Sequence, residues 1–214
     1  MDWGTFAKNR ENTTVKFRQM LSSAAALLLV TAIPATVLGA DWDIDSGHSR
    51  VGFGVKHMMV STVRGTFSRF TGAVTVDDAD ASKSKMHVDI EAASISTDNA
   101  KRDEHLKSPD FFDVAKYPKI VFDSTKVEKN GANSFLVTGN LTIKNVTKSV
   151  VLTVTGLTAE VKDPWGGVRR AAQASTKINR KDFGMTWNKA IESGGVLVSD
   201  DVQLDLEVEL LKKK

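Results

Sequence analysis

From Val202 to Leu210 the sequence alternates without a break. Val202, Leu204, Leu206, Val208 and Leu210 are apolar, and Gln203, Asp205, Glu207 and Glu209 stand between them. Successive side chains of an extended chain point to opposite faces, so this stretch has one dry and one wet face only as a β-strand. A strand with one dry face belongs to an antiparallel sheet laid over a core.

The same period recurs upstream. Residues 49–57 put Val51, Phe53 and Val55 on one face, with His57 in phase at the end. Residues 62–76 follow, with Gly65 and Gly72 read as interruptions at bends or bulges. Residues 85–95 place Met86, Val88, Ile90 and Ala92 together. Further strands are expected at 119–128, 134–143, 149–161, 168–180 and 200–211, making eight. Asn130-Gly131 suits a tight hairpin, and Asp163-Pro-Trp-Gly-Gly167 is another turn. Helical spacing is confined to 98–107, capped by Thr97 or Asp98 and stopped before Ser108-Pro109. A second turn, 109–114, starts with Ser108 as cap and Pro109 in the first helical position.

Eight antiparallel strands in one all-β domain form a sandwich or a closed barrel. The inward set mixes Phe53 and Phe67 with Gly65, Gly72, Ala92, Ala172 and Ala174. Alternation alone does not decide between a filled core and a lumen.

The amino-terminal segment has a different composition. Lys8, Arg10, Lys16 and Arg18 precede the uncharged run Met20–Ile33, and small residues lead out to Gly39-Ala40. This is the pattern of an export leader, residues 1–40, cleaved after Gly39 or Ala40. It leaves residues 41–214 as one domain with no stable membrane anchor. The apolar run is shorter than the roughly 20 residues that span a bilayer. Of the chain's 29 basic and 26 acidic residues, the leader holds four and two, so the remainder carries a net charge of +1. That balance gives no electrostatic case for nucleic acid. The chain has no cysteine. Disulfides, thiolate metal sites, a cysteine nucleophile and a cysteine-linked lipid are therefore excluded.

Catalytic patterns are sparse. His48, His57, His87 and His105 form no metal-binding pair in sequence, and phosphate loops and nucleophile elbows are missing. His87 falls on the wet face of its strand, and His105 on an ionic helix. The expectation is a protein that is not an enzyme and uses no metal or cofactor. Two alternatives stay open. One is an enzyme using His57 or His105 as acid–base on an amphiphile. The other is a stress-induced module that binds a protein at a sheet edge or at the Trp165 turn.

Several segments carry a resemblance. They are Arg64-Gly-Thr-Phe67, Phe70-Thr-Gly72, the long run Arg102–Pro118 leading into Ile120-Val-Phe-Asp-Ser124, Thr138–Lys148, Asp163–Gly167 and Ile178–Met185. Together they resemble the YceI-like, polyisoprenoid-binding family of exported bacterial proteins, across essentially all of 41–210. The family commonly has proline after the Thr-Lys matched by Thr147-Lys148; Ser149 stands here. The resemblance implies an extended lipocalin-like barrel of eight antiparallel strands with a short helical insertion. It implies a long isoprenoid or fatty amphiphile inside, with transport, storage or stress protection in the periplasm as the role. A quinone would be cargo rather than a working cofactor, and a homodimer is the assembly the resemblance admits.

Strand phase and side-chain size nominate lumen contacts: Phe53, Val55, Phe67, Phe70, Met86, Val88, Ile90 and Phe122, with Trp165, Phe183, Met185 and Trp187 as further candidates. His57, Arg64 and Arg102 are candidates for a polar head. Phe111 and Phe112 are expected to plug one end of the barrel. An apolar tunnel discriminates weakly, since one methylene is worth only about 1–3 kcal/mol, so tolerance among long prenyl and acyl chains is expected.

Overall fold

The computed structural model describes residues 39–191 and 195–214. The expected leader falls outside them apart from Gly39 and Ala40. Twelve strands form one sheet: β1 (Ala40–Ile44), β2 (Arg50–His57), β3 (Ser61–Phe67), β4 (Phe70–Val76), β5 (Lys85–Glu91), β6 (Ile95–Ser96), β7 (Lys119–Lys129), β8 (Ser134–Ile143), β9 (Val146–Thr155), β10 (Val161–Lys162), β11 (Val168–Asn179) and β12 (Val198–Lys212). One α-helix, α1 (Ala100–Lys107), stands between β6 and β7.

Three early pairs of strands each share one position in the wall. Along one edge of β12, β2 covers Val198–Glu207 and β1 covers Leu210–Lys212. In the same way β3 pairs with β2 while β4 pairs with β1. Next, β6 pairs with β3 and β5 with β4. Then β7, β8, β9 and β11 follow in order, and β11 pairs with β12 from Arg169–Leu211 to Asn179–Asp201. Every neighbour is antiparallel and the last position meets the first, so the sheet is a closed eight-position barrel. Closure pairs β12 on both sides and confines the unpaired strand edge of the ring to the stretch beside β3 and β6.

The eight positions match the eight expected strands, with local corrections. β1 was not expected; it alternates Ala40, Trp42 and Ile44. The 62–76 stretch breaks at Ser68-Arg69, not at its glycines. Gly65 and Gly72 lie inside strands because a side chain would collide. A Cβ at Gly65 would sit 2.8 Å from the Ser96 carbonyl oxygen, and one at Gly72 would sit 2.7 Å from that of His87. β9 starts at Val146 and ends at Thr155, and Ser149 pairs with Asn140 without interrupting it. The cap of α1 is Asn99, whose side chain accepts from the Arg102 N–H, rather than Thr97 or Asp98. Residues 109–114 form turns, not helix.

β7 shows why phase has to be read locally. Ile120 and Phe122 face inward, then a bulge between Ser124 and Lys126 shifts the register and Val127 becomes the inward residue. One extra residue in one strand reverses every side chain beyond it.

At the amino-terminal end Trp42 is fully buried among Val74, Val76 and Leu210. Its ring lies 5.8 Å from the Arg170 guanidinium and 5.4 Å from Lys212 Nζ. Strand β1 is thereby anchored through a single large side chain.

Candidate functional site

The barrel is hollow. A cavity of about 970 Å³ runs inside it, toward the upper end of the ~300–1,000 Å³ usual for ligand sites. Along β12 its lining extends from Val198 through Val202, Leu204, Leu206 and Val208 to Leu210. That span is roughly 40 Å of strand at ~3.3 Å per residue. With strands tilted as in closed barrels, it is roughly 30 Å along the axis. The alternation that predicted a dry face therefore describes the wall of a lumen. Ala172 and Ala174 on β11 line it too, and their small size leaves room where larger residues would fill the centre.

Ten of the twelve nominated lumen residues line this cavity: Phe53, Val55, Phe67, Phe70, Met86, Val88, Ile90, Phe122, Met185 and Trp187. Two do not. Phe183 closes a short 3-10 turn (Arg180–Phe183) and is buried in the main core. Trp165 is 88% exposed on the β10–β11 turn. The Asp163 carboxylate fixes that turn by accepting the N–H groups of Trp165 at 2.9 Å and Gly167 at 2.8 Å. Of the head-group candidates, His57 and Arg102 reach the lining. Arg64 is exposed instead, because Val63 and Gly65 on either side of it take the inward phase. Arg102 is largely committed: its Nε donates to Thr97 Oγ1 at 2.7 Å and its Nη2 to the Thr97 carbonyl at 2.8 Å.

One end of the cavity is stoppered by rings. β6 pairs only with β3, so beyond it the segment containing α1, not a ladder strand, completes the wall. Phe112 meets Phe67 edge-on at 5.7 Å, and Phe111 is buried. His105, Phe111 and Trp187 form a mutual cluster with ring centroids 4.8–5.4 Å apart. Trp187 is held in place from below by Arg180. This buried guanidinium donates from Nη1 to the carbonyls of Met185 (2.6 Å) and Trp187 (2.8 Å), and from Nη2 to Asp200 (3.2 Å). Burial lowers the Arg180 pKa and the Asp200 carboxylate works against that loss. Arg180 thus positions two lumen residues that lie outside any strand.

The opposite end is charged. Arg170, in phase with Ala172 and Ala174, lines the cavity and bonds Asp78 through Nη1 at 2.9 Å. Its Nε donates to the Thr158 carbonyl at 2.9 Å. Arg169, on the outer phase, joins three segments: Nη1 donates to Asp45 (2.5 Å) and Glu209 (2.6 Å), and Nε to Asp163 (2.9 Å). The Arg169 bond to Asp45, with one from His48, holds the Asp45 pKa down to about 2.

The sequence reading did not nominate Arg170, nor Leu204, Leu206 and Leu210 as lumen contacts. The signal for all four was available, since each shares the inward phase of its strand.

The histidines are dispersed. His48 bonds Asp45 (2.9 Å), His87 bonds Asp123 (2.6 Å) and His105 bonds Asp110 (2.8 Å). His57 alone ends an inward-facing strand stripe. Among the described residues, Asp45, His48 and Glu209 form one group at metal-ligand spacing. The Arg169 guanidinium already donates to both of its carboxylates.

Comparison with known proteins bears on the whole barrel. The YceI-like domain matches residues 42–210. A UPF0312 protein of Photorhabdus laumondii is 42% identical over 78% of this chain and 85% of its own. The crystal structure of the Campylobacter jejuni YceI protein superposes with a TM-score of 0.64 at 36% identity, over 79% of this chain and 96% of that one. A polyisoprenoid binding domain from Saccharophagus degradans shares the fold, with a TM-score of 0.58 at 16% identity over 82% of this chain and 99% of its own.

Proposed function

The chain belongs to the YceI-like family, and from that premise we propose that it is an exported carrier holding a long-chain polyisoprenoid or similar amphiphile inside the barrel. A prenyl quinone or its precursor fits the same description as cargo. The observation that carries this reading is the elongated dry cavity of about 970 Å³. At ~30 Å³ per water-sized group, it has room for about thirty non-hydrogen atoms. The Saccharophagus domain, described as polyisoprenoid-binding, supports the choice of ligand class.

The physics is ordinary desolvation. Apolar surface moved from water into a dry lumen gains about 25 cal/mol per Å². Ordering a flexible chain offsets much of that gain. Polar groups near the ends, His57 at one and Arg170 at the other, are placed to orient a head without adding much affinity. Binding without turnover suits a site whose histidines each face a separate carboxylate or none. The export leader suits a carrier working in the periplasm.

Native mass spectrometry of protein recovered from the periplasmic fraction, followed by lipid extraction, tests the reading. A co-purifying long-chain lipid is expected. Protein that is always empty and also refuses added prenyl alcohols would overturn it. Ala172→Trp, which narrows the lumen from a wall position, should shift the bound lipids toward shorter chains.

A further inference from the structure

At the ring-stoppered end, the β2–β3 hairpin ends in an apolar tip. Met58, Met59 and Val60 are consecutive and 40%, 68% and 84% exposed. The Val60 N–H donates to the His57 carbonyl at 3.0 Å, closing a tight turn over Met58 and Met59. Both of these have positive φ, 51° and 60°. Asn and Gly favour such a turn, and bulky side chains there are strained. The strained turn thus displays three large apolar side chains to water, at a place where a polar pair would make a better turn.

The tip is continuous with the cavity. Val55 and His57, just before it, line the lumen, as do Leu197 and Val198 opposite. The Met58 N–H donates to the Leu197 carbonyl at 2.9 Å, which ties the tip to that wall. Positive charge flanks it. Lys56 and Arg64 lie exposed on the outer face of the same hairpin, and neither has a carboxylate partner among the described residues. The nearby carboxylates of β12 are already engaged: Asp200 by Arg180 and Lys181, and Asp201 by Lys177.

We propose that this hairpin tip docks the protein on an anionic lipid bilayer, with Met59 and Val60 entering the headgroup–acyl boundary and Lys56 and Arg64 meeting acidic headgroups. Shallow apolar insertion and a few cations reinforce each other at such an interface. The inference rests on the carrier reading, because docking at this end sets the cavity mouth against the membrane from which a lipid would be drawn or to which it would be delivered.

The test is flotation of the protein, expressed from the full chain, with vesicles of equal parts phosphatidylethanolamine and phosphatidylglycerol, and with pure phosphatidylcholine vesicles for comparison. Association with the acidic vesicles, weakening as salt is raised, is expected. Replacing the tip by the favourable turn pair, Met58→Asn with Met59→Gly, should weaken it about tenfold, as lost apolar area requires. Arg64→Gln should weaken it about fivefold, since one cation near an anionic surface is worth about that factor. None of these residues lines the cavity, so the lipid content by native mass spectrometry should be unchanged in every variant. Equal flotation of wild type and the tip variant would overturn docking, as would no flotation at all. So would a wild-type dimer that the tip variant turns into a monomer, which would make the tip a protein contact. An empty wild type that still floats in a tip-dependent way would instead remove the carrier reading and leave the membrane contact standing.

Discussion

The two ends of this barrel are built by different physics. At the amino-terminal end, Trp42 is sealed under Arg170 and Lys212, and Arg169 ties together Asp45, Asp163 and Glu209. Paired strands reach this end, and charge locks their connections. At the other end the wall is completed by turns, one helix and the Met185–Trp187 segment, held by Arg180 and by the rings of His105, Phe111 and Trp187. Ladder hydrogen bonds open only together with the sheet. Ring contacts can separate locally, because they depend on a few side chains. The difference assigns stability to the charged end and access to the aromatic end.

The largest effect should come from breaking the charged end. Trp42→Ala removes the largest buried side chain there and should cost about 3–5 kcal/mol, read by urea unfolding. Phe111→Ala at the aromatic end should cost less, and an equal loss would erase the contrast. Trp187→Ala comes next. It should speed lipid release about tenfold, followed by stopped-flow transfer to acceptor vesicles, and leave the thermal midpoint within a few degrees. Asp78→Asn, which weakens the Arg170 pair at the other end, should leave release unchanged. If Asp78→Asn accelerates release and Trp187→Ala does not, the assignment of access is reversed.

The smallest effect is the response to acid. The Asp45 pKa is depressed from 3.8 to about 2, chiefly by Arg169. Its ionic contribution is fully present above the ordinary value and lost as pH falls through about 2. The Asp163 pKa is lowered by the same guanidinium. Amide exchange should therefore show the charged end loosening between those two pH values. Arg169→Leu should flatten that response and lower the midpoint at neutral pH by a few degrees.

Strand phase read the wall well, because alternation is a local consequence of pleating. Ten nominated residues fall on the cavity lining. Phe183 was misplaced because period-2 phase does not continue through the turn that follows β11. Arg64 points outward because its neighbours Val63 and Gly65 claim the inward positions, so its charge is no guide to the lumen. Trp165 shows the same error for a turn, where Asp163 rather than hydrophobicity sets direction. The bulge in β7 and the strand at Ala40–Ile44 left no sequence mark strong enough to compete with their surroundings.

By itself the sequence determined the dry face of most strands, how many strand positions exist and where the helical insertion falls. These follow from two-residue periodicity, turn residues and caps, all of them local. Only the tertiary structure decided that the dry faces enclose a hollow, which end is stoppered by rings and which by charge, and that Arg169 and Arg180 each unite distant segments. Closure depends on β12 pairing with both β11 and the β1–β2 lane, and no local pattern encodes which strands meet across that distance.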